Sequence, residues 1–239
     1  MLLALTAVAN FGIRQPYQLI AVSKITSLDD LVGKQLITSA ASATPTLRVS
    51  NMLDREGLLE DVNIVNIAKA ESQVAAFRAG QAEAVFLQVA NAQKAMATVP
   101  GSHVLVDVED IGPELVNTGL CVSNKFLEEN PGTIYQLIAG LSEAVSFSQK
   151  NEEKTIEILM ETFDLTEKQA KSVQKSEANS FTAYPIPHKK LWEEVARLDS
   201  LGEQKEVTVE EILAVTDFTI AKKVIDDLGL KRVADIPSS

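Results

Sequence analysis

Cysteine is nearly absent from this sequence: Cys121 is the only one among 239 residues, so the chain forms no internal disulfide and offers no cysteine-cluster metal site. A lone cysteine of this kind is expected to be a small buried residue. Histidine is almost as scarce, and His103 and His188 lie far apart. His103 opens a strand-like run, while His188 sits on a polar helix start where surface placement is expected. His103, Asp107, Glu109 and Asp110 invite a metal reading, but alternating strand faces would split them. No G-x-S-x-G turn, phosphate-binding loop or dinucleotide fingerprint occurs. No catalytic residue, metal or cofactor is therefore assigned. Long apolar runs are missing too, since no stretch approaches the ~20 continuous apolar residues of a membrane-spanning helix. The opening "MLLALTAVANFG" lacks a basic n-region, and its apolar core falls short of the ~7 to 15 residues of a signal peptide, so a strand is expected there. Basic residues are outnumbered, 22 against 33 acidic ones, and the net charge of −11 comes with no basic run. That argues against nucleic acid as a partner.

What is present is an alternation of strand and helix patterns. "LLALTAVA", "YQLIAV" and "QLIT" (Gln35 to Thr38) carry the apolar content of buried strands. Leu47, Met52 and Leu53 then recur at helical spacing, and Gly57 is placed to end that helix in a left-handed conformation. "VNIVNI" reads as the next strand, "ESQVAAFRAG" as a short helix closed by Gly80, and "AEAVFLQ" as another strand. Such alternation indicates βαβ units on a parallel sheet, expected from about Leu28 to Val108. After "HVLVDV" and "VNTGLCVS" the pattern turns helical. Ile134, Leu137, Ile138, Leu141 and Val145 form one apolar stripe, and Ile156, Leu159, Met160 and Phe163 the next. Thr166 with Gln169, and Thr208 with Glu211, have capping-box spacing, and Gly202 and Gly229 are placed as helix stops.

The small-residue elbow "SAASATPT" joins the "QLIT" strand to its helix. At the carboxyl end of a parallel strand a helix begins with free N–H groups and a positive dipole end, and an anion can approach only where side chains are small. Ser39, Ala40, Ala41, Ser42, Ala43, Thr44 and Thr46 meet that need, and Pro45 suits a first-turn position that has no N–H to satisfy. The alternative is that Ser42 or Thr44 caps its own helix.

"SLDDLVGKQLITSAASATPTLRVSNMLDREGL", then "DVNIVNI", then "QVAAFRAGQAEAVFLQ" resemble the substrate-binding proteins of ABC importers in the sulfonate, nitrate and thiamine-precursor group. Ser27, Leu28, Asp30, Leu31, Gly33 and Lys34 match the family's segment leading into the second lobe. Ala75, Ala76, Gly80 and Ala84 match its Ala-Ala-φ-x-x-Gly-x-φ-Asp-Ala segment, where φ is apolar, with Glu83 in place of the usual Asp. "YPIPHKKLWEEVARLDSLG" is similar to the family's C-terminal helices. The resemblance implies an α/β, periplasmic-binding-protein-like (type II) two-lobed fold, with lobe I incomplete and a helical C-terminal part. Residues 1–24 would be remnant strands of lobe I and a crossover, and 25–116 an α/β lobe II. Residues 117–239 would be the return crossover and helices packing on lobe I. It further implies a solute-binding component that holds a small polar or anionic metabolite in an interlobe cleft and delivers it to an ABC permease. Its location would be the periplasm or, as a lipoprotein, the cell surface. An enzyme acting on a pyrimidine precursor or small acid, or a ligand-sensing domain, are the alternatives on the same fold. The cysteine-rich signature of pyrimidine-synthesising relatives is absent.

Ligands of open α/β sheets sit outside the carboxyl ends of the strands. The candidates are accordingly Ser39, Ala40, Ser42 and Thr44 at the elbow, Gln88 and Asn91 after "AVFLQ", and Asn117 and Thr118 at the return crossover. Asn10 and Arg14 follow the first strand, where Arg14 would clamp a carboxylate or sulfonate or else stand solvated. Tyr184, before a proline, reads as packing or as a reach toward the ligand.

Overall fold

The computed structural model describes residues 5–14, 16–107, 116–203 and 206–232. In chain order its elements are β1 (Leu5–Asn10), β2 (Tyr17–Ala21), β3 (Gln35–Thr38), α1 (Thr44–Arg55), β4 (Asn63–Asn66), α2 (Ala70–Arg78), β5 (Ala84–Gln88), α3 (Val89–Thr98) and β6 (His103–Val106). Then follow β7 (Gly119–Ser123), α4 (Asn124–Glu129), α5 (Pro131–Lys150), α6 (Glu152–Phe163), α7 (Glu167–Glu177), α8 (Lys189–Glu203), α9 (Val209–Leu213) and α10 (Thr219–Leu228). The chain divides into two compact units, Met1–Arg14 with Glu114–Thr155 and Ala178–Ser239, and Gln15–Pro113 with Ile156–Glu177.

The second of these is built on a five-stranded sheet in the order β4-β3-β5-β2-β6. β3 pairs in parallel with β4 and β5, as the βαβ pattern requires. Strand alternation sends Leu19, Ala21, Leu36, Ala84 and Phe86 to one face, where they pack with Val49, Met52 and Leu53 of α1. Ile20, Ile37, Val85 and Leu87 point to the other, against Ala76 and Phe77 of α2 and Ala92 and Ala95 of α3. Gly57 and Gly80, both at φ 72°, close α1 and α2 as their positions predict.

Three expectations need correction here. The strand "YQLIAV" is not part of a lobe I segment at 1–24: as β2 it lies inside this sheet, antiparallel to both β5 and β6, so the sheet is mixed rather than parallel. Its apolar content is that of a strand buried on both faces, which says nothing about direction. The helices of 117–239 do not all pack with β1 either. Val89 of α3 is buried against Ile156 of α6, Leu165, and Ala170 and Val173 of α7, which places 156–177 in the sheet-bearing unit. Finally, Gly202 ends no helix, because α8 runs through it to Glu203.

The other unit holds the antiparallel ribbon β1-β7, with a bulge between Ala7 and Ala9. Val8, Ala9 and Phe11 pack with Ile134 and Ile138 of α5 and Ala221 and Val224 of α10. Cys121, expected buried, is exposed on β7. The capping boxes form as the spacing predicts. Thr208 Oγ1 accepts from Glu211 N–H while Thr208 N–H donates to Glu211 Oε2, and Thr166 with Gln169 does the same.

Candidate functional site

Antiparallel β2 begins where parallel β5 ends, because Tyr17 and Gln88 are register partners. The carboxyl ends of β4, β3 and β5 therefore share one end of the sheet with the start of β2. A pocket of about 80 Å³ opens there, lined by Tyr17, Ser39, Ala68, Ala70, Gln73, Gln88 and Asn91.

Local chemistry holds the pocket walls in place. The Ser39 carbonyl accepts from Asn66 Nδ2 at 2.7 Å and from Thr46 Oγ1 at 3.1 Å, which ties the first elbow residue to the end of β4 and to the buried side of α1. Gln73 is buried on α2 and its Nε2 donates to the Ile67 carbonyl at 2.6 Å, bracing the loop that carries Ala68. The Tyr17 ring stacks on Phe86 at 5.2 Å between centroids and 25° between planes, and burial pushes its phenol above the usual range. Val89 N–H, the first of α3, donates to the Pro16 carbonyl at 2.8 Å, fixing Gln88 beside β2.

Electrostatically the site is defined by helix starts. The residues preceding α1, α2 and α3 are Ala43, Lys69 and Gln88, and no side chain caps any of these helices. Ser42 and Thr44 are thus not caps. Neither α1 nor α3 has an acidic residue in its first turn, whereas the first turn of α2, whose Ala70 lines the pocket, carries Glu71. The dipole ends of α1 and α3 therefore meet no carboxylate within their own first turns. The lining residues offer amides, a hydroxyl and a phenol, and none is an ionised side chain at neutral pH.

Of the residues singled out in the sequence, Ser39, Gln88 and Asn91 come together in this pocket. Ala40, Ser42 and Thr44 are exposed on the elbow and do not line it. Asn10, Arg14, Asn117 and Thr118 belong to the other unit. There Asn117 Nδ2 donates to the Arg14 carbonyl at 3.2 Å, and the Thr118 carbonyl accepts from Phe11 and Gly12 N–H groups. Asn10 is buried, and its Oδ1 has no hydrogen-bond partner among the described residues. Tyr184 lies under the Arg232 guanidinium, 4.8 Å from its ring centroid, which is a packing role. His188 Nδ1 accepts from Lys190 N–H at the start of α8. Glu109 and Asp110 lie outside the described residues, among which no three His, Cys, Asp or Glu side chains converge on a metal site. Sequence reasoning missed Tyr17 and Gln73. Gln73 left a signal, being a polar residue three and four positions from Ala76 and Phe77 on the apolar face of α2.

The fold has solved counterparts. The alkanesulfonate-binding protein SsuA from Xanthomonas axonopodis pv. citri, bound to MOPS, superposes with a TM-score of 0.69 at 18% identity, covering 90% of this chain and 74% of its own. The periplasmic aliphatic sulphonate binding protein SsuA from Escherichia coli gives 0.67 at 18% identity, with 87% and 68% covered. The desulfurization enzyme DSZB gives 0.67 at 14% identity, with 95% and 80% covered. The periplasmic-binding-protein-like fold is thereby shared with both transport proteins and an enzyme. Among curated proteins none matches the sequence. The NMT1/THI5-like family model matches residues 3–182, which is well over half of the chain and includes every strand of both sheets, and the chain belongs to that family.

Proposed function

We propose that this chain is the solute-binding component of an ABC importer, acting in the periplasm or at the cell surface, and that it presents a small anionic or polar metabolite to a permease. The observation that carries this reading is the pocket at the strand ends: neutral donors from Ser39, Gln88 and Asn91 beside the start of α3, which no side chain caps and whose first turn has no acidic residue. Oriented donors and dipole ends favour an oxyanion group without any chemistry being done on it. At about 80 Å³ the pocket takes a head group of a few heavy atoms rather than a whole drug-sized ligand, which needs roughly 300 Å³ or more. Among the described residues no helix is long and apolar enough to cross a membrane, in keeping with delivery to a separate permease.

The test is calorimetric titration of short alkanesulfonates, carboxylates and pyrimidines into the chain and into Gln88→Glu. Gln88 is exposed and precedes α3, so a carboxylate there is compatible with the fold and adds a like charge at the pocket. Two like charges ~4 Å apart repel by about 1 kcal/mol in bulk water and more where screening is weaker, so anion affinity should fall roughly fivefold to thirtyfold. Unchanged anion affinity would remove the pocket from the reading. A second reading, an enzyme, is favoured by the fold shared with DSZB. Mass analysis of the recovered ligand separates the two, since a binding protein returns it intact.

A further inference from the structure

Most polar groups lining the pocket are free to change role. The Tyr17 and Ser39 hydroxyls and the side-chain amides of Gln88 and Asn91 make no hydrogen bond among the described residues. A hydroxyl hydrogen rotates and an unbound amide turns over, so each of these groups donates or accepts as its partner requires.

Gln73 cannot adapt in this way. Its side chain lines the pocket although the residue is only 5% exposed, and its backbone N–H is held by the Lys69 carbonyl at 3.0 Å. Nε2 donates to the Ile67 carbonyl at 2.6 Å. That carbonyl only accepts, so turning the amide over would set oxygen against oxygen and break the brace. The amide is therefore locked with Oε1 directed away from Ile67. Among the described residues no donor reaches Oε1, and it is not sealed off as the partnerless Oε1 of Gln18 is, so what it faces is the pocket. The wall thus contains one acceptor of fixed polarity. An anionic oxygen placed against it meets a like partial charge, and an apolar group leaves it desolvated and unpaired. An O–H or N–H group satisfies it.

The two nearby helix starts set the direction of the rest of the ligand. Glu71 lies in the first turn of α2, which carries Gln73, while the first turn of α3 has no acidic residue. An anionic group is accordingly favoured on the α3 side, by Gln88 and Asn91, and disfavoured on the α2 side. We infer that the ligand of this pocket is a small acid that also bears a hydrogen-bond donor, a hydroxyl or amino group within a few bonds of the anionic group, the donor bonding to Gln73 Oε1 and the anion lying at the start of α3. At about 80 Å³ the pocket keeps the two groups close together. The inference rests on the anion-binding reading above and deepens it, because it separates hydroxy and amino acids from plain alkyl acids of the same size.

The probes are propanesulfonate, fluoroethanesulfonate, hydroxyethanesulfonate and aminoethanesulfonate, each substituted at the far carbon, with butanoate and hydroxypropanoate as a carboxylate pair. They are titrated calorimetrically into the 239-residue chain and into Gln73→Met. In the unaltered chain a hydroxy or amino probe should bind about tenfold or more tighter than propanesulfonate and fluoroethanesulfonate, which match it in size and cannot donate. In Gln73→Met that preference should shrink to about twofold or less while propanesulfonate still binds. A merely bracing Gln73 would weaken every probe together and leave the preference intact, which overturns the inference. Followed by NMR in the unaltered chain, the Gln73 side-chain carbonyl carbon should shift with hydroxyethanesulfonate and not with fluoroethanesulfonate, a readout that stands even if the variant does not fold. Equal shifts, or equal affinities for donor-bearing and plain acids, overturn the inference and leave the anion reading in place. Binding of none of these acids overturns both.

Discussion

Replacing Glu177 with glutamine is expected to raise stability at pH 8 and leave it unchanged near pH 4, and the size of the difference follows from where this carboxyl sits. Glu177 ends α7 and is half-buried, and burial pushes its pKa from 4.5 to about 7. The folded chain therefore holds a proton that the unfolded chain has released, so stability falls as pH rises. The contribution is fully present below about pH 4.5 and is lost as pH climbs through about 7. At roughly 1.4 kcal/mol per pKa unit, and with some relief from the remaining solvent contact, the loss is about 2 to 3 kcal/mol. Glutamine keeps the shape of the protonated acid and cannot ionise. Urea unfolding of both proteins from about pH 4 to about pH 8 gives two curves whose gap should open across that range and then stay constant. Asp217 moves stability in the opposite sense at acid pH, because its hydrogen bonds from Thr219 hold its pKa below the usual range. That effect is common to both proteins and cancels in the gap. Parallel curves would refute the reasoning and show that Glu177 is ionised and solvated in the native chain.

Gly12→Ala should destabilise by about 1 to 3 kcal/mol in thermal melts, because its Cβ would lie 2.6 Å from the Thr118 backbone nitrogen, which cannot swing aside. Phe77→Ala should cost roughly 3 to 5 kcal/mol in urea titration, since this ring is 1% exposed between α2 and the sheet. Thr208→Ala should cost about 1 kcal/mol through loss of the capping box at α9, with Thr208→Ser retaining most of it.

The parts of the fold legible in the sequence are those set by neighbours in the chain. The β3-to-α1 elbow, the glycines that end α1 and α2, and the boxes at Thr166 and Thr208 each depend on a few consecutive residues. What escaped depends on distant pairing. Nothing within "YQLIAV" tells β2 to run antiparallel between β5 and β6, since a strand buried on both faces has no polar side to orient it. Ile156, Ala170 and Val173 form ordinary helical stripes whose partner, Val89, is far away in sequence. The same limit shaped the candidate site. Ser39, Gln88 and Asn91 follow from the rule about strand ends, whereas Tyr17 joins them only because β2 is reversed.

The interleaving of the two units also bears on how the chain is made. β1, near the amino end, finds its partner β7 only after more than a hundred further residues, and its neighbours on α10 lie later still. The sheet of the other unit has all of its strands by Val106, yet waits for 156–177 to cover α3. Synthesis from β1 toward β7 thus completes the strands of the five-stranded sheet before β7 exists to pair with β1. Neither unit can be excised by a single cut, and proteolysis within 156–177 should strip a covering layer from one unit while severing the connection that leads to the rest of the other.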